Sequence, residues 1–331
     1  MTPAVRDAPA SLPAPAVPAP ANRKQTVILL GPQGEKETLA AVLEEHGLRG
    51  RLAVVTAGWQ EREGEVQALQ DHVAGRAENL LLHKRADEVF AEHPDLEEEH
   101  RLRQTRLRQL QRLYNVRVEH AMAAVAELAR RSEPEPLIRQ AWEAAVGTVR
   151  SIDEEHLVDL KVAHREFDLR LDLGQRKAVR RHRREIAKIL GDCEVLAIAG
   201  GHVAVLLNRL RLFDVTKHIK DKPVIGWAAG AMVLSERVVL YHDSPPQGAG
   251  NPEVLEAGLG LVKGVVPLPH ARTRLRLNDP QRVSRFATRF APARCVAMDE
   301  GARLTVGPTG WSASPETKEL TPDGRVQRME R

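Results

Sequence analysis

An alternation of short apolar runs with helical patterns is the feature that most constrains the fold. Residues 26–30 (TVILL), 52–56 (LAVVT) and 79–82 are each buried-strand patterns, with helical patterns and short turns between them. The same alternation returns at 194–199 (EVLAIA) and 223–226 (PVIG). Apolar, β-branched runs separated by helices predict a parallel sheet with helices on both faces. We therefore expect a doubly wound, mostly parallel α/β domain.

A stretch from 86 to 190 interrupts this alternation, because it has almost no strand pattern. Leucine and valine recur there at helical spacing among many arginines and glutamates, and only the segment SEPEP at 132–136 breaks the pattern. This predicts a large α-helical insertion, a hairpin or a small bundle. The expected organisation is a disordered Pro/Ala-rich tail (1–22), the α/β domain in two parts (23–85 and 191–313), the helical insertion (86–190) and a polar carboxyl-terminal tail (314–331).

Composition excludes several classes of protein. The 331 residues carry a net charge of +4, too small an excess to indicate nucleic-acid binding. The two cysteines, Cys193 and Cys295, form no close pair, which argues against a cysteine-based zinc site. The sequence contains no run of 18 apolar residues, so we predict no membrane span. The Pro/Ala-rich start lacks the pattern of a signal peptide. We expect a cytoplasmic, bacterial protein without cofactor or metal.

The segment 224–233 (VIGWAAGAMV) carries the most specific motif. It reads as a strand, a sharp turn and a helix with small residues packed around the turn, which is the pattern of a nucleophile elbow. The residue at the tip of the turn is Ala228.

Four segments, taken together, resemble peptidase family S51, which includes peptidase E and cyanophycinase. They are GWAAGA at 226–231, AGGHVAVLL at 199–207, LGLVKGVVPLPH at 259–270 and MDEGARLTV at 298–306. The resemblance covers about 23–82 and 191–306, leaving out the helical insertion. It implies a flavodoxin-like fold of the class I glutamine amidotransferase type.

The resemblance also implies roles for individual residues. Ala228 stands where the family has its nucleophilic serine, His270 where it has the general base, and Asp243, on a weaker match, where peptidase E has its acidic residue. The backbone N–H groups of Gly201 and Ala229 would form the oxyanion hole. The remaining pocket positions are Gly200, His202 and Trp227.

Alanine at the nucleophile position argues against the family's activity, because a methyl group cannot attack a carbonyl. Ser235, two helical turns from Ala228, should not reach the same point, and Ser244 is the other nearby serine. We therefore predict a pseudoenzyme that acts as a binding or interaction module. The alternative is a serine-type S51 hydrolase, cleaving peptide or amino-acid-derived amide bonds, in a native or engineered Ser→Ala form. His202, in place of the family's asparagine, is a second departure and favours natural loss.

Simpler interpretations remain open for each of these residues. His270 can be an ordinary loop histidine, Asp243 a turn residue and His202 a helix cap. The glycine-containing loop at 31–34 lacks the spacing of a dinucleotide-binding motif.

Expected partners are a small peptide or amino-acid-derived ligand, and a second copy or another protein bound through the helical insertion. The basic cluster at 176–184 (RKAVRRHRR) raises the alternative of a nucleic-acid ligand. Since it lacks interleaved aromatic residues, we interpret it instead as a solvated helix face paired partly with Glu97–Glu99.

Overall fold

The protein was analysed as a computed structural model, which describes residues 13–131, 135–219, 221–243 and 250–330. Its strands are β1 (Ala19–Pro20), β2 (Val27–Leu30), β3 (Leu52–Val55), β4 (Ala77–Asn79), β5 (Val195–Ile198), β6 (Val224–Trp227), β7 (Arg237–Leu240), β8 (Glu253–Ala257), β9 (Val262–Lys263), β10 (Val265–Pro269), β11 (Arg294–Met298), β12 (Arg303–Gly307), β13 (Gly310–Ala313), β14 (Lys318–Leu320) and β15 (Val326–Arg328). Its helices are α1 (Leu39–Glu45), α2 (Gln67–His72), α3 (Leu82–Glu92), α4 (Pro94–Leu128), α5 (Glu135–Leu171), α6 (Lys177–Asp192), α7 (Val203–Leu212), α8 (Ala229–Leu234), α9 (Ala271–Arg274) and α10 (Pro280–Phe290). Two 3-10 helices span Ala57–Arg62 and Val215–His218.

The central sheet has seven strands in the order β13-β12-β2-β6-β5-β3-β4. The five strands from β2 to β4 are mutually parallel, whereas β12 runs antiparallel to both of its neighbours. Read from the other edge, β4-β3-β5-β6 reproduces the 2-1-3-4 order of flavodoxin-like sheets, with β2 in the fifth place. The predicted doubly wound, mostly parallel α/β fold is thus confirmed.

The parallel strands form because their residues are apolar on both faces. Every residue of β2, β3, β5 and β6 is buried, and two hydrophobic clusters lie on opposite sides of the sheet. Strands covered by helices on both faces have this continuous apolar character. The carboxyl ends of these four strands meet at one edge, where their loops are brought together.

The predicted helical insertion is two long helices, α4 and α5, packed against each other and flanked by α3 and α6. The predicted break at 132–136 overlaps the start of α5, which begins at residue 135, and its residues 132–134 lie outside the described part of the chain. A buried network fixes the hairpin to the body. Arg289 of α10 donates to both carboxylate oxygens of Asp153, and Tyr114 donates to Asp153 while accepting from the backbone N–H of Val254.

Several strands belong to smaller sheets beside the central one, and the sequence did not indicate this division into separate sheets. β10 and β11 are parallel neighbours in a four-stranded sheet with β14 and β15, and β7 pairs with β8 alone. Because β10 precedes His270 and β11 precedes Asp299, the carboxyl ends of these two strands form a second source of site residues.

Both chain ends differ from the expected tails. Residues 19 and 20 pair antiparallel with β9, where disorder was predicted over 1–22; residues 1–12 lie outside the described part. At the other end, β14 and β15 pair within 314–331, where Leu320 and Met329 are buried. An ion pair between Glu319 and Arg294 anchors this segment at 2.6 Å. These strands have two or three residues each, too short for a recognisable alternation.

Both cysteines are buried, Cys193 just before β5 and Cys295 in β11. None of the helices in the described ranges is long and apolar enough to cross a membrane.

Candidate active site at the carboxyl edge of the sheet

Ala228 forms the tip of a sharp turn between β6 and α8. Its backbone has φ 50° and ψ −119°, a conformation that residues with a side chain rarely adopt. The turn is held on one side by the Ala228 N–H, which donates to the carbonyl of Leu30 at the end of β2 (3.2 Å). The nucleophile-elbow geometry is therefore present, with a half-buried methyl group where a nucleophile would stand.

Small residues around the turn are required by close backbone contacts. A Cβ on Gly230 would lie 2.0 Å from the carbonyl oxygen of Ile198, and one on Gly226 would lie 2.6 Å from that of Gly230. These contacts let α8 start directly against β5 and β6. Across the crevice, a Cβ on Gly200 would lie 3.0 Å from the Ala228 methyl, so the double-glycine loop directly faces the elbow.

The double-glycine loop is shaped by the end of β3. Gly201 has φ +107°, which favours glycine, and its position is locked because the N–H of His202 donates to the carbonyl of Gly58 at 2.7 Å. Among the described residues, the N–H groups of Gly201 and Ala229 have no hydrogen-bond acceptor. They are thus available for an oxygen of a ligand, as an oxyanion hole requires.

The other two pocket positions have structural roles. His202 is exposed and caps α7, since its Nδ1 accepts the N–H of Val205 at 3.3 Å, as the simpler interpretation predicted. Trp227 is buried in the hydrophobic cluster that contains Leu30 and Ile225. Ser235 is also buried, with its hydroxyl 2.8 Å from the carbonyl oxygens of Met232 and Arg237, so it is held away from any catalytic role.

His270 follows β10 in a left-handed conformation (φ 58°) and is half-buried. Burial lowers the pKa of His270, and the nearby guanidinium of Arg274 lowers it further, while Asp299 and Glu300 act in the opposite sense. The imidazole is therefore neutral near pH 7, in the form that accepts a proton.

Asp243 is not the partner of His270. Its carboxylate accepts from Arg282 at 2.5 Å and from the backbone N–H of Arg276 at 2.8 Å, and no hydrogen bond joins the two residues in the described structure. Asp243 instead ties the start of α10 to the loop after α9. The predicted His270–Asp243 pair is thus not formed, because a nearby arginine occupies the carboxylate.

The carboxylate next to His270 comes from Asp299, which sequence reasoning did not assign. Pro269 and Met298 are opposite each other in the parallel pair β10–β11, so the residues that follow them, His270 and Asp299, are neighbours. Asp299 accepts the backbone N–H of Arg272 (3.0 Å). The MDEG segment carried the signal, but only the strand pairing shows which histidine it accompanies.

Three arginines of the basic cluster at 176–184 form ion pairs with acidic residues of other elements. Arg176 pairs with Asp95 at 2.7 Å, Arg183 with Asp214 at 3.3 Å and Arg181 with Glu92. The expected pairing with Glu97–Glu99 is wrong, because α6 lies beside the end of α3 and the start of α4. These residues therefore form a solvated helix face with several ion pairs.

A metal site does not accompany the elbow in the described ranges, and the cavity beside the hairpin is separate from the elbow. These ranges contain no group of three or more His, Cys, Asp or Glu side chains arranged to hold a metal ion. A cavity of about 150 Å³ lies between the hairpin and α7, with Leu107, Leu160 and Leu207 among its walls. Its polar walls include Arg211 and Glu256, which already pair with each other, and it does not include the elbow.

Comparison with known proteins links this site to one family. The model of peptidase family S51 matches residues 150–311, slightly under half of the chain, and this range contains the elbow, the double-glycine loop, His270 and Asp299. The match starts inside α5, earlier than expected, and leaves out residues 23–82. No curated protein matches the chain. One similar solved structure is the crystal structure of a peptidase from an acI-B1 Actinobacterium, with 14% identity, 90% of this chain and 91% of that chain covered, and a TM-score of 0.45.

Proposed function

We propose that this chain is an S51-like protein without serine hydrolase activity, whose crevice binds a peptide or an amino-acid-derived ligand. The observation that supports this most strongly is Ala228 in elbow geometry, with a methyl group at the attacking position. Loss of the nucleophile from a serine–histidine system lowers turnover by about a million-fold, so residual turnover would be negligible.

The remaining geometry suits binding of a carbonyl or carboxylate oxygen. The N–H groups of Gly201 and Ala229 lack acceptors in the described structure, and the double-glycine loop faces the Ala228 methyl at Gly200. We also assign a binding role to His270, whose neutral imidazole follows β10, the strand that contacts α8. Peptides and amino-acid amides present the oxygen that such a pair of donors accepts.

The proposal is tested with the purified protein and the Ala228→Ser variant on a panel of dipeptides with a chromogenic leaving group. We expect no turnover by the parent above buffer, and saturable binding of the same dipeptides by calorimetry. The matched control is Gly200→Val, which would fill the crevice beside Ala228 and should abolish binding while the circular dichroism spectrum is unchanged. Turnover by the parent, or binding unaffected by Gly200→Val, would contradict the proposal.

A second candidate is a serine hydrolase of the S51 type present in its Ser→Ala form. The strained conformation of Ala228 favours this second candidate. Such a conformation costs about 1–3 kcal/mol, and an alanine at this position gains no catalytic function in return. On this account Ala228→Ser restores hydrolysis and His270→Ala in that background removes it. Asp299→Asn should then lower the restored rate more than Asp243→Asn, since Asp299 neighbours His270 and Asp243 is bound to Arg282.

A further inference from the structure

Exposed aliphatic side chains concentrate on the helical hairpin. Nine large hydrophobic residues are exposed in the described structure; seven of them lie in α4 and α5, and six of these seven are away from the junction of the two helices. These six are Leu102, Leu113, Val116, Val158, Val162 and Leu169. Such concentration on one element marks an interaction surface, whereas single exposed aliphatic residues are ordinary.

The six residues share one face of the hairpin. Two ion pairs, Arg106–Glu166 and Arg117–Glu155, connect the helices on the open side, since all four side chains are at least half exposed. Five of the six aliphatic residues are three or four positions from one of these charged residues, and Val116 is three positions from Leu113. That spacing places side chains on the same helix face. We name this surface, the six aliphatic residues with the two ion pairs between them, the open face.

The same ion pairs fix the register of the two helices. With Arg106 beside Glu166 and Arg117 beside Glu155, Leu113 lies level with Val158, and Leu102 lies level with Leu169. Along α5 the exposed aliphatic residues Val158, Val162 and Leu169 are four and seven positions apart, a spacing that keeps them on one face available for packing against further helices. A two-helix layer with such a face is completed by a second two-helix layer, as in a four-helix bundle.

The charges of the helices indicate which second layer fits. Between 101 and 117, α4 has five exposed arginines and no acidic residue; between 153 and 168, α5 has five exposed acidic residues against Lys161 and Arg165. Arg101, Arg108 and Arg112 form no ion pair with any described residue, and neither do Glu154 and Asp168. A surface with one basic and one acidic helix is complementary to a second copy of itself, turned so that each α4 lies over the partner's α5.

We propose that this protein forms a two-fold homodimer in which the open faces of two hairpins pack into a four-helix bundle, α4 against the α5 of the other copy. This places the interface on the inserted helices and leaves the crevice at Ala228 to each copy separately. Packing of α4 against α4 is disfavoured because it would bring arginines together.

The first test measures mass in solution by light scattering coupled to size-exclusion chromatography. We expect twice the 36.7 kDa of one chain for the parent, and a single-chain mass for a double variant, Leu113→Glu with Val162→Glu. The matched control is Val17→Glu, an exposed aliphatic position outside the hairpin, which should remain dimeric. Circular dichroism checks that all three are folded. A monomeric parent, or a double variant that remains dimeric, overturns the proposal.

The second test distinguishes the two arrangements of helices. Chains with Leu113→Cys are mixed with chains with Val158→Cys under mild oxidation; the natural cysteines are buried and should not react. We expect a disulfide between the two different chains. A disulfide mainly between two Leu113→Cys chains would show α4 against α4 and overturn the charge-guided arrangement.

Discussion

The elbow and the hairpin hold their shape by opposite means. At the elbow, backbone packs directly against backbone: Gly226 and Gly230 leave no room for a side chain, and Ala228 is held in an unfavourable conformation. The hairpin is held in place by long side chains, through the Tyr114–Asp153–Arg289 network and exposed ion pairs. Gly226 and Gly230 therefore tolerate no added side chain, whereas the stability of the hairpin depends on which polar groups are paired.

The largest effect should come from breaking the network that fixes the hairpin. Asp153→Ala leaves Arg289, which is 2% exposed, buried without its carboxylate partner. We expect the free energy of unfolding to fall by about 3–5 kcal/mol, measured by urea denaturation. The control is Glu316→Ala, which removes the exposed Lys36–Glu316 pair outside the hairpin and should cost at most about 1 kcal/mol. Equal losses would show that the hairpin is not fixed by its buried charges.

Two glycine substitutions compare the regions directly. Gly230→Ala would place a Cβ 2.0 Å from a backbone oxygen, and we expect a loss of about 2–3 kcal/mol of stability. Gly147→Ala, in the interior of α5 with nothing within 4 Å of the new Cβ, should instead stabilise the protein by about 1 kcal/mol. Thermal or chemical denaturation measures both. Changes in the free energy of unfolding with the same sign would show that the two regions do not differ in how they accept a methyl group.

The root of the hairpin should be sensitive to acid. His100 packs between Phe90 and Phe167, and burial, with Arg103 and Arg209 nearby, lowers its pKa to about 3. Between about pH 6.5 and 3 the unfolded chain binds this proton and the folded chain does not, so stability is lost as pH falls.

The slope from this one group is about 1.4 kcal/mol per pH unit. His100→Leu should remove close to one proton from the number taken up on unfolding in that window, measured as the pH dependence of the free energy of unfolding. An unchanged slope would mean that the His100 site admits water when folded.

The smallest effect is expected at the tip of the elbow. Ala228→Gly removes the steric cost of the φ 50° conformation while adding flexibility to the unfolded chain, so we expect a net gain of about 1 kcal/mol in stability. The matched control is Ala231→Gly within α8, which should be destabilising by about 1 kcal/mol. If Ala228→Gly lowered the free energy of unfolding, the packing of the Ala228 methyl group would outweigh the strain of its backbone.

Much of the fold was readable from the sequence because it depends on local patterns. The apolar strands, the elbow at Ala228 and the double-glycine loop at Gly200 and Gly201 all have short signatures. Asp299 was missed because its proximity to His270 depends on strand pairing between segments about thirty residues apart. Asp243 was misassigned because Arg282, far along the chain, occupies its carboxylate.

The short strands at the chain ends were missed for the same reason. Two or three residues carry no periodicity, and only their partners give them structure. Ala19 and Pro20 are ordered by pairing with β9, and the strand at 326–328 by pairing with β14. Their positions follow from contacts that no local pattern encodes.

The two buried cysteines allow local opening of the protein to be measured by the rate of thiol labelling. A thiol reagent cannot modify Cys193 or Cys295 while both are covered, so each labelling rate reports how often its surroundings come apart. Cys193 borders the central sheet and Cys295 lies in the four-stranded sheet. Equal labelling rates at the two sites would mean that both sheets open in one cooperative event, and unequal rates would rank the order in which they separate.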